Sequence, residues 1–298
     1  MNSPLNQKRI CFATSKDFPE MTRDDRLAAA ALREAGAIVS PAIWNDGSVH
    51  WHEYDAVIIR STWDYHFHPD KFRVLLDVLE AANVRVFNSL DVVRWNMNKR
   101  YLLELQSKGV IIPRAYFAER GDELDIARIR SVIGMSEVVA KPEVSASAWN
   151  TRRYSLDSFN KRDEEELRQL LRTTNLVIQE FLPEVLSEGE WSMMFFGDQF
   201  SHAVRKFPAP KDFRVQEEFG GTYRHEPDPP AALISQAKAA VAACKGELLY
   251  ARVDGIMRSE TFIVMEAELL EPALFFEVDP AAPGRFAGRL SGLMGDSR

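Results

Sequence analysis

The period of apolar and polar positions changes along this chain. Up to about residue 88, the short apolar runs "RICFAT", "AIVSPAIW", "YDAVIIRS" and "VRVFNS" alternate with the helically spaced stretches "RDDRLAAAALREAG" and "DKFRVLLDVLEAAN". That alternation predicts a small doubly wound α/β unit, its first helix stopped at Gly36. A helix is predicted next over "NMNKRYLLELQSKG", closed by Gly109 with Pro113 beyond. A mixed segment follows: "EVVAKPEVSASA", the acidic helix "DEEELRQLLR" and "LVIQEFLP". The basic stretch "TRRYSLDSFNKR" inside it reads as a solvated turn and helix start. The last third is antiparallel in character, with "EWSMMFFGDQFSHAVRKFP", a Gly220–Gly221 loop, the helix "AALISQAKAAVAACK" and a hairpin turning at Arg258, Ser259 and Glu260. The fold class expected is α/β, passing to α+β in the later lobes.

The final hairpin carries the first chemical signal. In "TFIVMEAELL" strict alternation puts Phe262, Val264, Glu266 and Glu268 on one face, and Ile263, Met265, Ala267 and Leu269 on the other. The two carboxylates then stand roughly 7 Å apart along the backbone. Antiparallel pairing brings Asp254 of "ELLYARVDGIM" beside them. Like charges at close range call for a cation, and oxygen ligands without Cys or His favour Mg²⁺ or Mn²⁺. An ordinary solvated strand face is the alternative.

Composition narrows the class. The 298 residues are 46% hydrophobic, enough for one large core or for two or three lobes. Lys and Arg number 37 against 44 Asp and Glu, and the net charge of −7 argues against a nucleic-acid or anionic-membrane partner. Cys11 and Cys244 both lie in apolar contexts, which predicts two buried reduced thiols and fits a cytoplasmic location. The start, "MNSPLNQKRICFATS", shows no apolar signal core, and no apolar run is long enough to span a bilayer.

In a doubly wound unit ligands bind beyond the carboxyl ends of the strands, where "RSTWDYHFHP" begins. The first turn, "ATSKDFPE", lacks the glycines of a dinucleotide site. Arg60 can grip a carboxylate in two-pronged fashion, Asp64 can hold an amine, Trp63 and Tyr65 can wall a pocket, and Ser61 falls among them. Alternatively, Arg60 and Asp64 pair with each other and the aromatics are core. The pairs His50/His52 and His66/His68 read as loop histidines rather than a zinc site, and the tryptophans as packing residues.

From about Asn88 to Pro272 the order of these segments resembles the ATP-grasp ligases. The likeness is to the glutathione-synthetase-like branch, and within it to the cycloserine-forming O-ureidoserine cyclo-ligase group. "NSLDVVRWNMNKRYLLELQSKGVIIP" resembles the segment with the first nucleotide-binding lysine, here Lys99, with Asn98 where Asp is usual. "VVAKPEVSASA" resembles the strand of the second lysine, Lys141, followed by a phosphate loop built of Ser145, Ala146, Ser147 and Ala148 instead of glycines. "VIQEFLPEVLSEGEWS" resembles the hinge strand, which assigns Gln179, Glu180 and Phe181 to the adenine and Glu188 to the ribose. "KDFRVQEEFGG" places Arg214 on an acyl phosphate, and Asp254, Glu266 and Glu268 match the magnesium ligands, with Glu268 where Asn is commoner.

The resemblance implies an ATP-grasp fold preceded by a pre-ATP-grasp domain over residues 1–96. Residues 97–298 would form the ATP-grasp domain, with 113–180 as a smaller mobile lobe and 181–298 as a metal-binding sheet lobe. It implies ATP and Mg²⁺ (or Mn²⁺) as cofactors, and small-molecule carboxylate and amine substrates joined through an acyl phosphate. Whether the chain self-associates is left open. An ATP-grasp phosphotransferase and a non-catalytic nucleotide-binding protein are the other readings.

Overall fold

The computed structural model describes residues 3–295. Strands β1 (Arg9–Thr14), β2 (Ile38–Ile43), β3 (Ala56–Ile59) and β4 (Arg85–Phe87) form one parallel sheet in the order β2-β1-β3-β4. Helices α1 (Arg23–Glu34) and α2 (Pro69–Ala81) connect its strands. The α1 start is capped by Thr22, whose side chain accepts from the Asp25 backbone N–H. This is the doubly wound unit expected, and Arg60 follows directly on the carboxyl end of β3.

A helix the sequence did not announce, α3 (Leu90–Asn96), precedes the stretch expected as helix over residues 96–109, which is helical only over α4 (Tyr101–Ser107). Between them the Lys99 N–H donates to the Glu143 carbonyl, and the Asn98 side chain accepts from the Arg100 N–H. A local Asn acceptor competing with the helical ladder accounts for the break.

The central lobe is an antiparallel sheet, β5-β8-β6-β7, made of β5 (Ala115–Ala118), β6 (Glu137–Pro142), β7 (Arg152–Ser155) and β8 (Leu176–Glu180). Helices α5 (Ile126–Ile133) and α6 (Lys161–Thr173) pack on it through Ile129, Ile133, Leu167 and Leu171. "RRYS", within the stretch expected as solvated turn, supplies the edge strand β7, where charged side chains are tolerated because one edge faces water.

A short helix α7 (Glu184–Ser187) leads into the third sheet, β11-β10-β9-β12-β13. Its strands are β9 (Glu190–Phe196), β10 (Gln199–Phe207), β11 (Thr222–His225), β12 (Ala251–Arg258) and β13 (Thr261–Glu268), all antiparallel, with α8 (Ala231–Ala243) across one face. Strand β9 is buried along its whole length because its two faces enter different cores. Trp191, Met193 and Phe195 pack with α8, whereas Met194 and Phe196 pack with the N-terminal unit. A C-terminal helix without a sequence-based expectation, α9 (Ala282–Gly295), inserts Phe286, Leu290 and Leu293 into that second core, against α1.

Candidate active site

The three sheets enclose a cavity of 690 Å³. Lys99, Lys141, Gln179, Glu180, Phe181, Arg214, Asp254, Glu266, Glu268, Arg60 and Trp63 all line it, so most of the residues singled out in the sequence meet in one space. Ser61, Asp64 and Glu188 are not among the lining residues. Ser61 is buried on Thr14, its hydroxyl 2.8 Å from the Thr14 hydroxyl. Asp64 accepts from the Trp44 indole at 2.7 Å, and Glu188 lies exposed at the end of α7. Glu190, two positions on and at the start of β9, faces the cavity instead.

The faces of β13 differ from strict alternation. Asp254 pairs with Glu266 and Gly255 with Val264, so Met265 is an extra residue, a β-bulge. Below the bulge Phe262 and Val264 enter the α8 core; above it Ala267 and Leu269 do. Met265, Glu266 and Glu268 consequently line the cavity, while Phe262 and Val264 are on the opposite side from the two glutamates. Glu266 and Glu268 do share a face, but with Ile263 and Met265 as their neighbours towards the turn, because one inserted residue inverts the alternation.

The cations that separate these carboxylates are the protein's own. Arg252, on the same face of β12 as Asp254, donates Nε and Nη2 to the Asp254 carboxylate at 3.0 Å and also ion-pairs with Glu268. Lys206 on β10 reaches Asp254 at 3.2 Å and Glu190 at 2.5 Å, and the Ser192 hydroxyl donates to Asp254 at 2.6 Å. Burial works to raise the Asp254 carboxyl, but Arg252 and Lys206 outweigh it and hold it below the ordinary range. Lys99 donates to the Ser145 carbonyl at 2.8 Å and pairs with Glu266 at 2.9 Å, and Lys141 stands 3.9 Å from the same carboxylate. Burial lowers the Lys141 ammonium, with Glu266 opposing. Burial likewise pushes Glu268 up to about 8 and Glu271 up to about 7. Sequence reasoning missed Arg252, Lys206, Glu190 and Glu271. Only Arg252 carried a local signal, its place two residues before Asp254 on one strand face.

Glu266 and Glu268 present on the cavity wall the hard oxygen donors that Mg²⁺ takes, the first paired with Lys99 and the second with Arg252. Asp254 has its oxygens bound to Arg252, Lys206 and Ser192. Among the described residues no group of three or more His, Cys, Asp or Glu side chains is set to hold a metal ion. Next to the cations, Phe181, Leu182, Val185, Val215 and Met265 form an apolar stretch of the cavity wall. The Glu180 side chain is turned to Arg114 and Arg258, accepting from the Arg114 N–H at 3.0 Å. Arg214 stands at the rim, paired with Asp212 at 2.7 Å and lying over the Phe219 ring at 3.6 Å.

At the far end Arg60 is buried, its Nε on Asp25 at 2.7 Å and its Nη2 on the Pro272 carbonyl at 3.0 Å, while Nη1 has no hydrogen-bond partner. The alternative pairing of Arg60 with Asp64 does not occur. Trp63 donates to the Glu271 carbonyl at 2.8 Å. Both cysteines are buried free thiols, pushed up to about 12 by burial. No helix among the described residues is long and apolar enough to cross a membrane.

Residues 10–88 match the family described as "D-cycloserine synthetase DcsG, N-terminal domain". The cycloserine biosynthesis protein DcsG of Streptomyces lavendulae is 27% identical over 280 residues, 88% of this chain and 90% of that protein. The crystal structure of D-cycloserine synthetase DcsG superposes with a TM-score of 0.86 at 24% identity, covering 96% of this chain and 99% of that one. The chain has the ATP-grasp fold and is similar in sequence to cycloserine synthetase along most of its length. D-alanine–D-alanine ligase from Bacillus anthracis, solved with ATP, shares the fold at a TM-score of 0.67 and 14% identity, over 97% of this chain and all of that one, 100%. The expected fold class is thereby met, and the expected kind of enzyme, an ATP-grasp ligase forming a carbon–nitrogen bond, accords with these relatives.

Proposed function

We propose that this protein is a Mg²⁺-dependent ligase that activates the carboxylate of an amino-acid-like small molecule with ATP and joins it to a nitrogen nucleophile through an acyl phosphate. The observation that carries this reading is the single cavity itself. It holds an apolar stretch of wall, a set of buried cations, two adjacent glutamates and, at its other end, a buried guanidinium with an unpartnered Nη1. Phe181, Leu182 and Val185 take the nucleotide ring, and Lys99 and Lys141 take phosphate oxygens. Glu266 and Glu268 hold Mg²⁺, which supplies charge neutralisation on the transferred phosphoryl group. Arg252 and Arg214 stabilise negative charge on the activated acyl group, and Arg60 with Trp63 positions the substrate.

The test is product analysis of the purified protein with ATP, MgCl₂ and a pool of L- and D-amino acids, the D-forms first because the relatives are named for D-cycloserine and D-alanine. ADP, free phosphate and a condensed product are expected. A phosphorylated product without free phosphate would instead establish a phosphotransferase. Lys141→Met should weaken ATP binding about tenfold or more by calorimetry, as loss of a charge-assisted hydrogen bond of about 1.5–3 kcal/mol requires.

A further inference from the structure

Glu271 stands apart from the other buried carboxylates. Among the described residues Asp25, Glu143, Glu180, Glu190 and Asp254 are buried and each is ion-paired with Lys or Arg, whereas buried Glu271 has no such pair. It nevertheless lines the cavity. Its backbone is pinned from the N-terminal unit, by Trp63 on its carbonyl and by Arg60 on that of the next residue, Pro272. Its carboxyl lies near the Tyr65 hydroxyl, which burial and then this carboxyl hold above the ordinary range. Glu271 thus marks the junction of the two halves of the cavity, three residues beyond Glu268 on one side and one residue from the Arg60 contact on the other.

A carboxylate buried there without an ion pair of its own retains more basicity than its paired neighbours, and the joining step needs a base. An amine or amide-like nitrogen that attacks an acyl phosphate must lose a proton, and neither the buried lysines nor Arg60 can accept one while charged. We propose that Glu271 is the general base of the joining step, accepting the proton of the attacking nitrogen. The nitrogen lone pair forms the C–N bond, the acyl C–O bond breaks, and phosphate leaves with the electron pair. The proton released from nitrogen moves to a Glu271 oxygen and from there to solvent or phosphate. The charged and titratable groups around Glu271 are Lys99 and Arg252, which favour its charged form, the carboxyls of Glu266 and Glu268, which oppose it, and the hydroxyls of Tyr65 and Tyr250. Burial is the largest influence and sets the carboxyl at about 7, where a base is both available and effective near neutral pH.

This rests on the ligase reading above, and the test separates the two. Wild type and Glu271→Gln are incubated with ATP, MgCl₂ and the L- and D-amino-acid pool, with and without hydroxylamine. Hydroxylamine is largely unprotonated at neutral pH and traps an acyl phosphate as a hydroxamate with little need of a base. Glu271→Gln should still form hydroxamate, and should bind ATP and melt as wild type does, while its amine-derived product falls at least a hundredfold. Glu271→Asp should restore part of that product. The wild-type rate of amine-derived product should rise with pH through about 7, and the hydroxamate rate should not. Equal loss of hydroxamate and amine product in Glu271→Gln, or no loss of either, overturns the base assignment. Absence of hydroxamate from wild type overturns the ligase reading beneath it.

Discussion

Arg252 shows how much one side chain holds in this site. Its guanidinium spans Asp254, Glu268 and the Ala273 carbonyl, so one cation bridges strands β12 and β13 and the segment beyond. Burial would lower this guanidinium, but Asp254 and Glu268 outweigh the cost of desolvation and hold it above its ordinary range. Arg252→Met keeps the length and removes the charge, leaving buried Asp254 and half-buried Glu268 each short of a partner. Breaking a buried pair in this way costs about 3–5 kcal/mol, and urea denaturation should show a loss of that size. Arg214, at the rim and paired only with its neighbour Asp212, offers the contrast. Arg214→Ala should leave stability within about 0.5 kcal/mol while lowering kcat, the mark of a group acting on charge that develops in the transition state.

At the scale of elements the β12–β13 hairpin carries the site, and its bulge depends on Gly255. A Cβ there would meet the Ile263 carbonyl oxygen at 2.3 Å and the Phe262 ring at 2.8 Å. The backbone of β13 is drawn against β12 at the point where Met265 is squeezed out and the alternation inverts. Gly255→Ala forces the strands apart, with an expected loss of about 1–3 kcal/mol or more in chemical denaturation. Because the displaced strand carries Glu266 and Glu268, the variant should lose ligase turnover by a larger factor than its loss of folded protein explains. Turnover equal to wild type per folded molecule would show that the bulge does not position the glutamates.

In the whole molecule the N-terminal unit is joined to the third sheet by a shared core and by Asp24. This carboxylate, in the first turn of α1, accepts the N–H groups of Leu274 at 3.0 Å and Phe276 at 2.5 Å, just past the cavity's acidic segment. Burial raises it from 3.8 to about 6, against the attraction of Arg60. A folded-state pKa above the ordinary value means that protonation favours the fold. The stabilisation is complete below about pH 4 and is lost as pH rises through about 6. Asp24→Asn has no such titration. The stability difference between variant and parent should therefore move in the variant's favour between pH 4 and pH 7, by at most about 3 kcal/mol, in denaturant melts across that range. A pH-independent difference would place Asp24 in water rather than in the joint.

The N-terminal unit was legible because its signal is local: strand and helix each announce their own period, and α1 and β3 lie where "RDDRLAAAALREAG" and "YDAVIIRS" put them. Lys99, Lys141, Gln179, Phe181 and the hairpin glutamates were legible through their order along the chain, and all of them reach one cavity. The edge strand β7 was hidden by its arginines, and α9 drew no expectation although Phe286 and Leu290 repeat at helical spacing. Partners across the chain were not legible at all. Arg60 fell to Asp25, 35 residues earlier, Asp64 to Trp44, and Lys206 to Asp254, 48 residues later. The sequence by itself determined which residue types could meet, since period and spacing are properties of neighbours. Only the tertiary structure decided which charges neutralise one another, because that choice depends on distances of a few ångströms between strands and on how much water burial removes.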